Sequence, residues 1–378
     1  MKQITIIFIF FSLYAAGDDS ETIDNQEPLV QNKNKVALSC KDRQTFNDQY
    51  KNILNGKSII SLLRKENIIG KGIFGAIYKV NWGGKEAVVK IMGAPTLEEE
   101  ILSTNLEIEL SKKLGQIGVS MEFKDCVEIS DYVLLVQEKL FKDLESVEVT
   151  NKFYKMSVIE RLRSYSEIAG KFEKMHKEGY VHQDIKPANI MVKNADISDF
   201  RIIDFGMSSL IEDPVIGGSL RYCTPEKILA INREESEEGD IATVHQDIYA
   251  LALTFAVMEG SELSIFGQTK NQVNPQFQIV GKPIDLLCFK REMTEECFEI
   301  LKANIFDTLY ARNNLDFFEI IVSAMENRNI ATMQVFMNRI DELILYLESE
   351  MNPHISQQQV EIQVQNVQSD KTEMKKLI

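Results

Sequence analysis

Short alternating runs of apolar residues give way along the chain to longer helical ones. Between Asn67 and Ile91, three runs rich in β-branched residues are separated by glycines, which predicts an antiparallel meander of three strands. From Leu97 to Leu114 the apolar residues recur every three or four positions with glutamates between them, which predicts an amphipathic helix. The apolar stretch from Tyr132 to Val136 predicts one more strand.

Helical spacing dominates the second half of the chain. Val158 to Glu178 forms one long amphipathic pattern that stops at Gly179. Asp247 to Met258 is apolar nearly all round, which is typical of a buried helix, and Phe317 to Tyr346 holds two further helical patterns. The sequence therefore predicts an α+β fold, in which a small antiparallel β lobe with one helix precedes a larger, mainly helical lobe.

The two ends of the chain differ from this central part. Residues 18–57 are polar with little periodicity, so we interpret them as a loosely held extension, and residues 349–378 as a polar tail. In residues 1–17, Lys2 precedes an apolar run and then small residues, which is typical of a secretory signal peptide. The run is shorter than the roughly twenty residues of a membrane-spanning helix, and no later segment looks transmembrane. We expect a secreted or endomembrane-lumenal protein; an uncleaved membrane anchor and a cytoplasmic chain are the alternatives.

The chain carries an acidic excess. Its 57 Asp and Glu residues against 42 Lys and Arg give a formal net charge of −15. Such a surface repels phosphates, which disfavours nucleic acid and anionic membranes as partners, although it also serves solubility. Five cysteines occur without a Cys-x-x-Cys or a His/Cys cluster, so a structural zinc site is not expected. Cys288 and Cys297 either pair with each other or remain separate thiols.

The first motif that carries chemistry is a Gly-x-Gly-x-x-Gly run made by Gly70, Gly72 and Gly75. Dinucleotide-binding folds use the same spacing to open a helix, but here strand-forming residues follow, so the loop joins two strands. Glycines at these places let backbone amides approach phosphate oxygens. A plain glycine hairpin is the alternative interpretation of this segment alone.

A lysine and a carboxylate form a second candidate pair. Lys90 ends an apolar strand, where it is either a solvated strand end or a charge for phosphates, held in place by a carboxylate. On the following helix Glu107 and Glu109 are the close competitors, and they lie on different faces. We prefer Glu107 as the partner of Lys90.

The strongest segment lies between Tyr180 and Val192. There Asp184 can accept a hydrogen bond from a substrate hydroxyl, Lys186 can neutralise charge on a transferred phosphoryl group, and Asn189 offers a neutral oxygen ligand to a hard cation. Asp204 follows a β run and suits a magnesium ion that bridges phosphates. Each residue alone could be a turn former or a cap, but their order and spacing together indicate phosphoryl transfer.

These motifs resemble those of the eukaryotic-type protein kinases over about residues 64–345. The resemblance implies a two-lobed kinase domain at residues 58–348, with an N-lobe over about 64–140 and a C-lobe over about 141–348. It also implies ATP and Mg²⁺, or Mn²⁺ in its place, as cofactors, and proteins as substrates. The Lys-Pro-Ala-Asn run that starts at Lys186 is similar to the serine/threonine pattern rather than the tyrosine one.

The resemblance also implies a role for individual residues. The implied catalytic residues are Asp184, Lys186, Lys90 and Glu107; the implied nucleotide-binding residues are Gly70, Lys71, Gly72, Gly75, Ile77, Ala87, Lys90, Glu138 and Leu140; the implied metal ligands are Asn189 and Asp204. Gln137 corresponds to the residue at the back of the adenine pocket, where a polar side chain is unusual. The catalytic loop corresponds to residues 182–189. Asp247 is similar to the aspartate that holds the backbone of this loop, and Arg328 to the arginine that pairs with Glu226.

Two positions depart from the family's pattern. Gln183 replaces the arginine that often grips a phosphate on the activation segment, and a neutral amide cannot form that charge-assisted pair. Thr224 stands where the family usually has alanine. The activation segment runs from Asp204 to Glu226, and its possible phosphate acceptors are Ser208, Ser209, Ser219 and Tyr222. We expect this segment to be ordered without phosphorylation, which leaves the enzyme constitutively active or controlled by its extensions or a partner.

Three functions are compatible with these residues. An active serine/threonine kinase is favoured, because none of the four groups that handle charge is missing. A nucleotide-binding pseudokinase or scaffold in a secretory compartment is the alternative. A kinase that acts on a small molecule is disfavoured, because residues 218–226 resemble the peptide-docking end of an activation segment.

The mature chain is expected to begin near Asp18. Expression in a secretory host should place the protein in the lumen or the medium, because the apolar run would direct export and then be removed. Mass spectrometry of the native N-terminus measures this directly. A chain that retains Met1 and stays in the cytosol would contradict the signal-peptide interpretation.

Overall fold

Two lobes of different secondary structure make up the chain. The computed structural model describes residues 38–72, 75–232, 241–261, 295–312, 314–327 and 329–351. The first lobe is built on a β-sheet with one long helix, and the second lobe is mainly helical. The two-lobed α+β fold predicted from the sequence is confirmed.

A six-stranded sheet forms the first lobe, with the strand order β1-β5-β6-β4-β3-β2. Its strands are β1 (Lys41–Asp42), β2 (Ile68–Gly72), β3 (Gly75–Trp82), β4 (Lys85–Gly93), β5 (Phe123–Ile129) and β6 (Tyr132–Glu138), and its helices are α1 (Arg43–Gln49) and α2 (Glu98–Gln116). β2, β3 and β4 pair antiparallel in sequence order, as the glycine-separated runs predict. α2 is the predicted amphipathic helix.

The turn between β3 and β4 fixes the register of the meander. Gly83 and Gly84 have φ angles of +62° and +85°, a region that favours glycine. Trp82 pairs directly with Lys85 across this two-residue loop. The side-chain oxygen of Asn81 accepts a hydrogen bond from the Gly84 N–H at 2.9 Å. A loop this short permits one pairing of β3 with β4.

Residues 38–57 pack on the first lobe, which corrects the interpretation of residues 18–57 as loosely held for this part of the segment. β1 pairs parallel with β5, and α1 buries Phe46 completely against the outer face of the sheet. The rings of Phe46, Tyr50 and Trp82 lie 4.8 to 5.9 Å apart between centroids. Phe46 and Tyr50 are one helical turn apart, so they form an apolar face that the surrounding polar residues conceal in the sequence.

A disulfide between Cys40 and Cys126 joins this segment to β5. The two Cα atoms are 5.1 Å apart, and the cysteines are separated by 86 residues in sequence. Beside the disulfide, Asp125 accepts hydrogen bonds from Lys41 and from the Tyr50 hydroxyl, the latter at 2.7 Å. The segment is therefore held by a covalent bond, by strand pairing and by apolar contact.

Helices dominate the second lobe. They are α3 (Val147–Phe153), α4 (Val158–Lys177), α5 (Pro225–Asn232), α6 (Val244–Met258), α7 (Glu295–Ala311), α8 (Leu315–Met325) and α9 (Met333–Met351). α4, α6, α8 and α9 confirm the helices predicted for these regions. α4 begins with a capping box, in which Ser157 and Glu160 each bond the other's backbone N–H. α6 is buried along nearly its whole length in the centre of the lobe's core.

Short strands position two loops on this helical base. They are β7 (Lys142–Asp143), β8 (Tyr180–Val181), β9 (Ile190–Val192), β10 (Phe200–Ile202) and β11 (Ser209–Leu210). β9 pairs antiparallel with β10, and β8 pairs antiparallel with β11. The loop between β8 and β9 therefore lies beside the loop between β10 and β11. These loops carry Asp184 and Asp204.

Some predictions concern residues whose structure is not described. These are the signal peptide at 1–17, the pairing of Cys288 with Cys297, the tail beyond residue 351, and the contact of Arg328 with Glu226. Among the helices that are described, none combines the length and the apolar character needed to cross a membrane.

Replacing Cys40 or Cys126 by serine is expected to lower the free energy of unfolding by about 2–4 kcal/mol, because the disulfide restricts the unfolded chain over a long loop. Urea denaturation of each variant, followed by tryptophan fluorescence at Trp82, measures the effect. As a control, wild-type protein unfolded in dithiothreitol should match the variants. Equal stability of oxidised wild type and both variants would contradict a structural role for the disulfide.

Candidate active site

Successive side chains of β4 point to opposite faces of the sheet, and this decides which of them lie on the same face as Lys90. Ile77 and Lys90 are directly paired across β3 and β4, and Val88 lies two residues from Lys90, so these side chains share one face of the sheet. Ala87 packs on the opposite face, in the cluster that includes Trp82. Its side chain points away from Lys90, which corrects the prediction that Ala87 contacts the nucleotide. Val88 instead shares the face of Lys90, because residues two apart in a strand point to the same side.

The glycine-rich loop joins β2 to β3 beside this face. Gly70, Lys71, Gly72 and Gly75 are described, while the two residues at the tip of the loop are not. At Gly75 the φ angle is +130°, and a Cβ atom would lie 1.7 Å from the carbonyl oxygen of Ile91. Only glycine fits there, because any side chain would collide with the backbone of β4. Lys71 is exposed on the loop.

Lys90 lies between two carboxylates. Its Nζ is 2.6 Å from Glu107 Oε1 and 3.1 Å from Asp204 Oδ1. Burial lowers the pKa of Lys90, but the neighbouring charges of Glu107 and Asp204 outweigh it and leave the pKa above its ordinary value. Glu107 is buried, whereas Glu109 is exposed on another face of α2. The geometry therefore assigns Glu107, as preferred from the sequence, to Lys90.

Asp184 is held by hydrogen bonds on both carboxylate oxygens. Oδ1 accepts from the Ser219 N–H at 2.7 Å, and Oδ2 accepts from Lys186 Nζ at 2.7 Å and from the Asn189 amide at 3.0 Å. Burial raises the pKa of Asp184, but the bonds from Lys186 and Ser219 hold it below its ordinary value. Asp184 is thus an ionised acceptor in a fixed orientation.

Asp247 holds the backbone of the catalytic loop, as its resemblance to the corresponding aspartate of protein kinases predicts. The carboxylate accepts hydrogen bonds from the backbone N–H groups of His182 and Gln183, at 2.8 and 3.0 Å. It also lies 2.9 Å from the ring nitrogen Nε2 of His176. The ring of His182 bonds the carbonyl of Ile203 through Nε2 at 3.0 Å, so that nitrogen carries the proton. The catalytic loop and the strand that leads to Asp204 are joined by this ring.

Asn189 and Asp204 are suited to a hard divalent cation. The Asn189 amide nitrogen is occupied by Asp184, which leaves its carbonyl oxygen as a neutral ligand, and Asp204 supplies a carboxylate. The Ile203 N–H donates to the Asn189 backbone carbonyl at 3.0 Å, so the two candidate ligands lie on adjoining segments. This oxygen donor set fits Mg²⁺.

The hinge residues lie where the sheet meets the second lobe. Gln137 is only 4% exposed and pairs with Val88, which places its side chain on the Lys90 face. Glu138 exchanges two hydrogen bonds with the backbone of Glu122, both at 2.9 Å. Leu140 is buried. Their binding of adenine stays a prediction.

Ser219 is the site residue that sequence reasoning missed, because it was considered only as a phosphate acceptor. Its N–H bonds Asp184, and its hydroxyl accepts a hydrogen bond from Lys186 Nζ at 2.8 Å. The preceding Gly218 is the signal in the sequence that could have pointed to Ser219. In the structure Gly218 has a φ angle of +148°, a conformation that favours glycine. A Cβ at Gly218 would lie 2.6 Å from the carbonyl oxygen of Gln183, so this glycine lets the segment approach the catalytic loop.

Known proteins with similar sequences point to one family. The chain matches the family model described as "Protein kinase domain" over residues 63–315. It is 30% identical over 195 residues to "Calcium-dependent protein kinase 4" of Plasmodium falciparum, which covers 49% of this chain and 31% of that protein. It is 26% identical over 236 residues to "Dual specificity protein kinase shkE" of Dictyostelium discoideum, which covers 60% of this chain and 30% of that protein. It is 24% identical over 200 residues to "Serine/threonine-protein kinase PknH" of Mycobacterium tuberculosis, which covers 50% of this chain and 29% of that protein.

These matches span only 29 to 31% of the length of the relatives. The matched family region nevertheless holds Lys90, Asp184 and Asp204, together with the residues that orient them. With this site on a two-lobed fold, the chain belongs to the protein kinase domain family.

Proposed function

We propose that this chain is a protein kinase that transfers the γ-phosphoryl group of Mg-ATP to serine or threonine hydroxyls of proteins. The observation that carries the proposal is the joining of Lys90 to both Glu107 and Asp204. This arrangement sets a cation and a candidate metal ligand side by side at the glycine-rich loop. Phosphoryl transfer depends on such placement of charge more than on covalent chemistry.

On the nucleotide side, Lys90 binds phosphate oxygens as a point charge. Glu107 keeps the ammonium group in place and Asp204 limits its freedom further, so little reorganisation accompanies binding. Asn189 and Asp204 would hold Mg²⁺, which neutralises phosphate charge when bound. The glycines of the loop leave room for phosphates close to the backbone.

On the acceptor side, Asp184 accepts the hydrogen bond of the substrate hydroxyl and takes its proton. The hydroxyl oxygen then bonds to the γ-phosphorus while the bond from phosphorus to the bridging oxygen of ADP breaks. Lys186, which lies 2.7 Å from Asp184, offsets the charge on the transferred group. The low pKa of Asp184 keeps it ionised at neutral pH.

Serine and threonine acceptors are the proposed specificity. The Lys-Pro-Ala-Asn run from Lys186 to Asn189 resembles the serine/threonine pattern, and PknH is a relative whose name states that specificity. The name of shkE states dual specificity, so tyrosine acceptors belong in the test. The pseudokinase alternative gains no support, since no charge-handling group is missing.

We also propose that the protein resides in a secretory compartment. The signal-like residues 1–17 motivate this proposal, and the disulfide between Cys40 and Cys126 supports it independently. Disulfides persist in oxidising compartments and are rare in a reducing cytosol.

Replacing Asp204 by alanine, or Lys90 by methionine, is expected to abolish measurable phosphoryl transfer while leaving a folded protein. Replacing Asp184 by asparagine should lower kcat by about 10²–10⁴-fold with little change in the KM for ATP, because Asp184 serves the acceptor. Transfer from labelled ATP to a peptide library with serine, threonine and tyrosine acceptors measures these effects. Full activity of Asp204→Ala would refute the proposed function.

Two glutamates on α2 provide a matched comparison. Glu107→Gln should lower kcat/KM by about tenfold or more, because the neutral amide holds Lys90 less firmly. Glu109→Gln should leave kcat/KM unchanged, since Glu109 is exposed and faces away from Lys90. Steady-state kinetics on both variants measures the difference. Equal losses at the two positions would show that the pairing with Lys90 is not what matters.

A further inference from the structure

Gln183 connects the catalytic loop to the activation segment without any phosphate. Its side-chain nitrogen donates to the Ser209 hydroxyl at 2.6 Å, and its side-chain oxygen accepts from the Ile216 N–H at 3.3 Å. The residue is buried and adopts a φ angle of +64°, a conformation that a glutamine rarely takes. Both halves of the amide are therefore used to hold one segment.

A buried lysine completes this connection. Lys227, in α5, is 2% exposed, and its Nζ donates to the backbone carbonyl of Gln183 at 2.5 Å. Within the described parts of the chain, no carboxylate oxygen lies within 4.0 Å of Lys227 Nζ, the distance of an ion pair. Burying an ammonium group costs free energy, and the hydrogen bond to the Gln183 carbonyl offsets part of that cost, so this contact fixes Lys227 to the catalytic loop.

Gln183 and Lys227 connect the catalytic loop to the activation segment at different points along that segment. Gln183 holds the beginning of the segment at Ser209 and its middle at Ile216, while Lys227 ties the helix that follows the segment to the loop. Between these points, Ser219 bonds Asp184. We refer to the contacts of Gln183 and Lys227 as the clasp.

We propose that the clasp is the positioning device of this kinase, in which Gln183 and Lys227 hold the activation segment in its working position without phosphorylation. This inference rests on the proposed function. It assigns a role to Lys227. It also assigns one to Gln183, which stands where the family often has arginine. Neither residue touches the reacting atoms; both act through Asp184 and Ser219.

The serines of the segment fit this proposal. Ser209 is 2% exposed, and its hydroxyl is already engaged with Gln183 and with the carbonyl of Leu210. Ser208 is buried as well, and Ser219 receives a hydrogen bond from Lys186. A phosphate on Ser209 would have to displace the Gln183 amide and leave the core. Phosphorylation at this position would therefore open the clasp rather than close it.

The test compares four forms of the full chain after phosphatase treatment: wild type, Lys227→Met, Gln183→Leu, and the control Lys177→Met, which makes the same change at an exposed lysine of α4. Phosphatase should leave wild-type kcat/KM unchanged. Lys227→Met and Gln183→Leu should each lower kcat by about 10- to 100-fold, while the KM for ATP stays within about twofold. Lys177→Met should behave as wild type. A merely destabilised fold would weaken ATP binding too.

Two outcomes would overturn the proposal: a tenfold or larger loss of wild-type activity on phosphatase treatment, or wild-type kcat in both clasp variants. If Lys227→Met does not fold, Gln183→Leu decides alone. Hydrogen exchange separates this result from failure of the proposed function. Whether or not wild type transfers phosphate, the amides of Ile216 and Ser219 should exchange about tenfold faster in Gln183→Leu than in unphosphorylated wild type. Equal exchange refutes the clasp.

Discussion

The carboxylate of Asp247 fixes the backbone on which the rest of the site depends. Burial raises its pKa, but the hydrogen bond from His176 and the nearby charges outweigh burial, so the pKa lies below its ordinary value and the group stays ionised. An ionised carboxylate in the core binds two successive N–H groups of the catalytic loop. Gln183 can then hold a φ angle that costs about 1–3 kcal/mol, because strong acceptors and donors fix the backbone on both of its sides. The orientation of the Asp184 side chain follows from this fixed backbone.

The second constraint is a charge shared between the lobes. Lys90 belongs to the sheet of the first lobe, Glu107 to the helix beside that sheet, and Asp204 to a loop of the second lobe. The contacts of the Lys90 ammonium group therefore depend on the relative positions of β4, α2 and the β10–β11 loop. Any shift of α2 or of the β10–β11 loop changes the charge balance at Lys90, and this makes the nucleotide side of the site sensitive to movement between the lobes.

Much of this arrangement could be predicted from sequence, for identifiable physical reasons. The glycine turns and the helical spacing determine the elements locally, and the order of Lys90, Asp184 and Asp204 indicates their chemistry. Ala87 was misassigned because a strand alternates strictly, and an error of one residue reverses the face. The packing of residues 38–57 and the partner of Cys40 depend on contacts distant in sequence, which composition does not reveal. The contacts of Ser219 with Asp184 and of Lys227 with Gln183 likewise join residues 35 and 44 positions apart in sequence, and no motif marks Lys227.

The aromatic contacts that α1 makes on the sheet move the start of the folded kinase domain towards the N-terminus. The recognisable motifs begin close to residue 68, and a boundary at residue 58 would retain all of them. It would also strip Phe46 and Leu54 from the outer face of the sheet and leave Trp82 and its apolar neighbours in water. Exposed patches of this kind promote association between molecules. The segment that contains the motifs is therefore shorter than the segment that covers its own apolar surface, and the difference is the polar stretch before residue 58.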